Sequence, residues 1–94
     1  MNVERQYLEA LDLTHQMLAA TRNQDWDALT RIGKQRSGII EAVERANLPI
    51  PASEKVSVAK LITEMERENA EIMERVQSWQ KDVRILLRMK EQPG

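Results

Sequence analysis

From Val3 to Thr21, apolar or small side chains recur every third or fourth residue, at Val3, Tyr7, Ala10, Leu11, Thr14, Met17, Leu18 and Thr21. That spacing gathers them on one helical face and predicts a first helix over residues 3–22. A polar stretch, "RNQD", follows it. Asp25 can cap the next helix by accepting from an orphan backbone N–H, and Asp27 is favourable in a first turn, so a second helix is predicted over residues 26–46. Its apolar positions form two adjoining tracks, Trp26, Leu29, Gly33, Ile40 and Val43 beside Ile32, Ile39 and Ala46. Two tracks call for two neighbours, which places the second helix between the other two.

"ANLPIPAS" breaks the pattern, because Pro49 and Pro51 lack backbone donors and push the residues before them out of helical geometry. A loop is predicted over residues 47–53, with Ser53 as the cap of a third helix. From there Val58, Ile62, Met65, Asn69, Ile72, Val76, Trp79, Val83 and Leu86 alternate by four and three, with no Gly or Pro before Pro93. The third helix is therefore predicted over residues 54–90. At about 1.5 Å per residue it reaches about 55 Å, against about 30 Å for each of the first two. The fold class is all-α, an antiparallel three-helix bundle or hairpin with an overlong third helix, forming a single domain over residues 1–94.

The mismatch in length bears on "SWQKDVRILLRM", residues 78–89. Val76, Trp79, Val83, Leu86 and Leu87 continue the stripe of the third helix where its partners run out, while Ile85 and Met89 fall on the opposite side. Leaving such a surface in water is unfavourable by about 25 cal/mol per Å². A second copy could cover it, the second helix could be shifted to bury part of it, or it could receive an amphipathic helix from a partner protein. In the last case Ile72, Val76, Trp79, Val83, Leu86 and Leu87 are the partner-binding residues.

Composition narrows the chemistry. The chain has 94 residues, a net charge of −1, 41% apolar residues and no cysteine. Disulfides and thiolate chemistry are excluded, and no cofactor or metal site is expected. Acids and bases are interspersed, without a basic stripe for a phosphate backbone, so nucleic acid is not an expected direct partner. No apolar run is long enough to insert into a membrane, and the start of the chain lacks a secretory pattern, which points to the cytoplasm.

Single residues read mostly as structure. His15 borders the first helix's apolar face with neither a second histidine nor a carboxylate cluster at ligand spacing, so it has a structural or surface role. Asn69 within the stripe reads as a register-setting polar residue that hydrogen-bonds across the bundle, the alternative being a contact to a partner's backbone. Gly33 and Ser37 allow close helix approach. Arg36, at the edge of the buried face, either snorkels or pairs with a carboxylate of the third helix such as Glu64 or Glu68. Glu71 lies on the outer face, Trp26 closes the bundle end, and the acidic run "EMERENAEIMER" is a solvated face with Glu/Arg pairs at helical spacing.

"TRNQDWDALTRIGKQRSGIIEAVERA" resembles the second-helix segment of FliT-type flagellar type III export chaperones, with Trp26, Asp27 and Leu29 matching that family's "WDxL" group. "LITEMERENAEIMERV", with Asn69 inside a heptad stripe, is similar to the start of the family's long third helix. The resemblance covers most of the chain. It implies a cytoplasmic helical chaperone that binds the C-terminal helical region of the flagellar filament-cap protein and hands it to the export apparatus. It also implies contacts with the export ATPase complex and, in some members, the flagellar master transcription activator. Members usually continue into a short fourth helix that masks the third; the given sequence reads to Gly94, which leaves self-masking an open question.

Two other classes fit less well. A self-assembling homodimeric coiled-coil scaffold would use the same exposed stripe. A small all-helical enzyme of chorismate-mutase type would need several inward cations, whereas Arg36 has no second inward cation on its own helix, so the chain is read as a non-enzyme with no catalytic residue.

Overall fold

The computed structural model describes residues 2–91. It contains α1 (Val3–Arg22), α2 (Trp26–Ala46) and α3 (Lys55–Glu91), the last entered through a 3-10 turn at Ala52–Glu54. There is no strand among the described residues. The chain runs up, down and up: α1 pairs antiparallel with α2, and α3 returns parallel to α1, so that His15 meets Glu68 while Trp26 meets Trp79.

Local chemistry sets the helix ends. Asn2 caps α1 by accepting from the N–H of Arg5 at 3.1 Å. At the other end Gln24 adopts a left-handed φ of 56°. The N–H of Asp25 then reaches Ala20 O at 2.8 Å and that of Gln24 reaches Thr21 O at 3.2 Å, the paired bonds of a Schellman ending. Asp25 also opens α2, its side chain accepting from the N–H of Ala28 at 3.1 Å, as the sequence predicts. Two helices thus meet with almost no linker. Asn47, with φ of 47°, ends α2 in the same left-handed region. Ser53 does not cap α3. It lies inside the 3-10 turn, which the N–H of Glu54 closes onto Pro51 O at 2.9 Å, and no side chain caps that turn.

The expected helix order needs correction. α1, not α2, is the central helix and packs on both of the others, whereas the backbones of α2 and α3 stay farther apart. The reason lies in side-chain size. Ala10, Thr14, Ala20 and Thr21 are all buried on α1 among Leu11, Met17 and Leu18, and small residues let a helix be approached from two sides, while only Ile32 and Val43 are buried on α2. Ala46, assigned to the second track of α2, is exposed, and Ile39 and Ile40 are half-buried. Nor does Gly33 mark a close backbone approach. A Cβ there would lie 3.5 Å from Met17 Cε, an ordinary contact, and Ser37 is exposed.

The interior consists of two apolar clusters separated by a polar layer. Nearer the α1–α2 turn, Met17, Leu18, Ile32 and Ile72 pack together with Leu29 and Val76 against them. Towards the other end, Ala10, Leu11 and Met65 pack with Tyr7, Ile39, Ile40, Leu61 and Ile62. Between them each helix supplies one polar residue. Arg36 donates from Nη1 to Thr14 Oγ1 at 3.1 Å and from Nη2 to Asn69 Oδ1 at 3.0 Å. Thr14 in turn donates to Ala10 O at 2.8 Å. Asn69 hydrogen-bonds across the bundle as expected, but Arg36 meets it and Thr14 rather than Glu64 or Glu68. Burial pushes the Arg36 guanidinium below its ordinary pKa. Because each of these groups has its partner only in one alignment, the layer opposes sliding of the helices.

Candidate protein-binding surface

The stripe of α3 passes through three environments. Val58, Met65 and Ile72 are buried, with Ile72 only 3% exposed. Val76 is half-buried against the upper cluster. Ile72 and Val76 therefore belong to the protein's own interior, and an accessible surface beginning at Ile72 is corrected to one that begins beyond Val76. The cause is the reach of both neighbours: Met17 and Leu18 of α1 and Leu29 and Ile32 of α2 share one cluster with Ile72 and Val76.

Trp79 marks the boundary. Its ring centroid lies 4.6 Å from that of Trp26, with the planes tilted by 40°, so Trp26 shields one side of Trp79 and leaves it 38% exposed. Such tilted pairs contribute about 0.5–1.5 kcal/mol beyond area burial. Trp26 closes the bundle end as expected, and it does so on the residue at the root of the overhang. The two tryptophans border a small cleft of about 180 Å³ together with Arg22, Gln24, Arg75 and Asp82.

Charge fastens the same level. Glu71 Oε2 accepts from Arg22 Nη2 at 3.1 Å and from Arg75 Nε at 2.9 Å, joining α1 to α3. The hydrogen bond from Arg75 is the main cause that holds the Glu71 carboxyl below its ordinary pKa; desolvation opposes it, and Arg22 lowers it further. Glu71 is thus a bridging residue rather than a free member of an outer face. Sequence periodicity places it outward but does not show that α1 ends beside it.

Beyond Trp79 the stripe continues as its cover falls away. Val83 is half-buried, and Leu86 and Leu87 are 64% and 52% exposed. On the other side of the helix Ile85 is 45% and Met89 67% exposed. α3 extends past both of its neighbours, and the molecule measures 65 × 20 × 19 Å. Of the six residues assigned to partner binding, the fold brings Trp79, Val83, Leu86 and Leu87 together on the projecting end and places Ile72 and Val76 inside.

A second group of side chains was not visible as a cluster in the sequence. His15 Nδ1 lies 2.6 Å from Glu68 Oε1, and ligand atoms of His15, Glu64 and Glu68 all fall within 4.8 Å of one another. The expectation that no carboxylates gather at His15 is corrected: α3 brings two, at i and i+4, across the parallel pairing with α1. These three are the residues that could surround a cation. The contact between His15 and Glu68 already fastens α1 to α3, while Glu68 Oε2 is buried with no hydrogen-bond partner. Among the described residues no helix is long and apolar enough to cross a membrane.

The family model described as flagellar protein FliT matches residues 4–92. Neither a search of curated proteins nor a search of solved structures finds a match.

Proposed function

The chain belongs to the FliT family of flagellar proteins, a family of export chaperones rather than enzymes, and from this premise we propose that the projecting end of α3 holds a client for export. The client is the C-terminal helical region of the filament-cap protein, bound in the cytoplasm along Trp79, Val83, Leu86 and Leu87 and then handed to the export apparatus. The observation that carries this reading is the uncovered stripe: Leu86 and Leu87, in register with the core positions of α3, are 64% and 52% exposed. An amphipathic helix laid along that stripe would bury these side chains as α1 and α2 bury Met65 and Ile72. Contacts with the export ATPase complex and with the flagellar master transcription activator rest on family membership alone.

A second copy of the chain would use the same stripe, and sedimentation of the free chain separates that reading, which predicts a dimer, from a client groove.

Titration calorimetry with a C-terminal fragment of the filament-cap protein tests the reading. Leu86→Ala combined with Leu87→Ala is expected to weaken binding by about 2 kcal/mol or more, since a few buried apolar anchors dominate such interfaces. The melting temperature is expected to stay near that of the parent. Wild-type affinity in the folded double variant would show that the client sits elsewhere.

A further inference from the structure

Ile85 and Met89 take no part in the surface just described. They lie one turn apart on the far side of the overhang, both well exposed, and Ile85 is bordered by cations. Lys81, Arg84 and Arg88 follow one another at helical spacing and line with Ile85 a single open depression of about 740 Å³. With a turn of about 100° per residue, these three cations stand away from Trp79 and Leu86. The described ion pairs involve His15, Arg22, Arg67 and Arg75, all on the covered part of the bundle, and none engages Lys81, Arg84 or Arg88. The overhang therefore presents two unlike faces, one apolar and one basic with an apolar edge.

We propose that Lys81, Arg84 and Arg88, with Ile85 and Met89 beside them, form a second docking face for an acidic amphipathic helix of another protein, held while the Trp79 face is occupied. Charge complementarity selects the occupant. Three cations on one face, none in an ion pair among the described residues, attract a segment rich in carboxylates and speed its arrival, and the Ile85–Met89 edge gives that segment an apolar ridge to cover. An anionic membrane surface suits the site less well. Membrane-surface helices bury one broad apolar face beneath a basic one, whereas here apolar residues lie on both sides and Lys90 falls at the middle of the Trp79 stripe.

The test uses a synthetic helical peptide with Leu at every third or fourth position and Glu elsewhere, and a twin with Lys in place of Glu. The Glu peptide is expected to bind the wild-type chain and to lose affinity as salt rises. Reversal by Lys81→Glu, Arg84→Glu and Arg88→Glu is expected to weaken it by about tenfold or more and to favour the Lys twin. Leu86→Ala with Leu87→Ala is expected to leave its affinity unchanged, a result independent of whether the filament-cap protein is the client. Should the triple variant not fold, Arg84→Gln with Arg88→Gln serves in its place. No binding of the Glu peptide overturns the proposal, as does equal binding by the charge-reversed protein or loss of binding in the Leu86/Leu87 variant. It is equally overturned if phosphatidylglycerol vesicles recruit the chain and the peptide does not, or if sedimentation shows that the reversal only dissolves a self-dimer.

Discussion

The two halves of α3 carry the same apolar register but serve different ends. From Ile62 to Val76 the apolar stripe positions pack with side chains of α1 and α2, and the polar residue among them, Asn69, is answered by Arg36. Past Trp79 the register persists while cover falls away: Val83 is half-buried, and Leu86 and Leu87 are exposed. The same pattern thus specifies an interior in one half and an interface in the other. What decides between them is how far the neighbouring helices reach, a property of the loops rather than of α3 itself. The turn at Asn23–Asp25 stops α1 and starts α2 at one level, and that level fixes where cover ends.

The contrast is broken most strongly by truncating the stripe on either side of the boundary. Ile72→Ala should destabilise the fold by about 3 kcal/mol, because a 3%-exposed side chain leaves a cavity between α1, α2 and α3. Leu86→Ala, in the same register, should change stability by no more than about 0.5 kcal/mol. Chemical denaturation followed by circular dichroism measures both. Equal losses would mean that the overhang has an intramolecular partner.

A smaller effect is expected at the level of the turn. Asp25→Ala removes the acceptor for the Ala28 N–H and should lower stability by about 1 kcal/mol. In the same denaturation experiment the slope should be unchanged, since the fold beyond the cap is retained. A loss of several kcal/mol would indicate that the turn holds the tryptophan pair as well as the helix start.

The smallest effect is confined to acid. Glu71 is held below its ordinary value of 4.5 by Arg75 and Arg22, so its pairing stabilises the folded chain above that value and is lost as pH falls through the depressed one. Glu71→Gln should therefore lower the melting temperature slightly at neutral pH and converge with the parent in the acid range below 4.5. A constant offset at every pH would show that the side chain matters for packing and not for charge.

Much of this arrangement is legible from local pattern. The cap at Asp25, the proline break and the long 4,3 stripe are properties of neighbouring residues, and the three helices follow from them. Trp79, Val83, Leu86 and Leu87 could be placed on the overhang because it follows from counting residues at 1.5 Å each. The tertiary choices were not legible. Periodicity shows that α2 has apolar positions on two tracks, but the choice of central helix depends on the small side chains of α1, which count weakly in any hydrophobic pattern. Ile72 and Val76 were assigned to the surface because the level at which α2 begins is a three-dimensional fact. Arg36 meeting Thr14 and Asn69, and His15 meeting Glu68, depend on α1 and α3 running parallel, and no local signal encodes such cross-helix neighbours.

Hydrogen exchange along α3, with and without the filament-cap fragment, is the most direct measurement. In the free chain, amides from about Val58 to Val76 should exchange slowly, and those from Gln80 onward should exchange fast, because an uncovered helix end opens without disturbing the core. Added fragment should slow exchange at Val83 to Leu87 and leave the covered half unchanged. Slow exchange through Leu87 in the free chain, or no added protection when the fragment binds, would contradict the assignment of the overhang as the client surface.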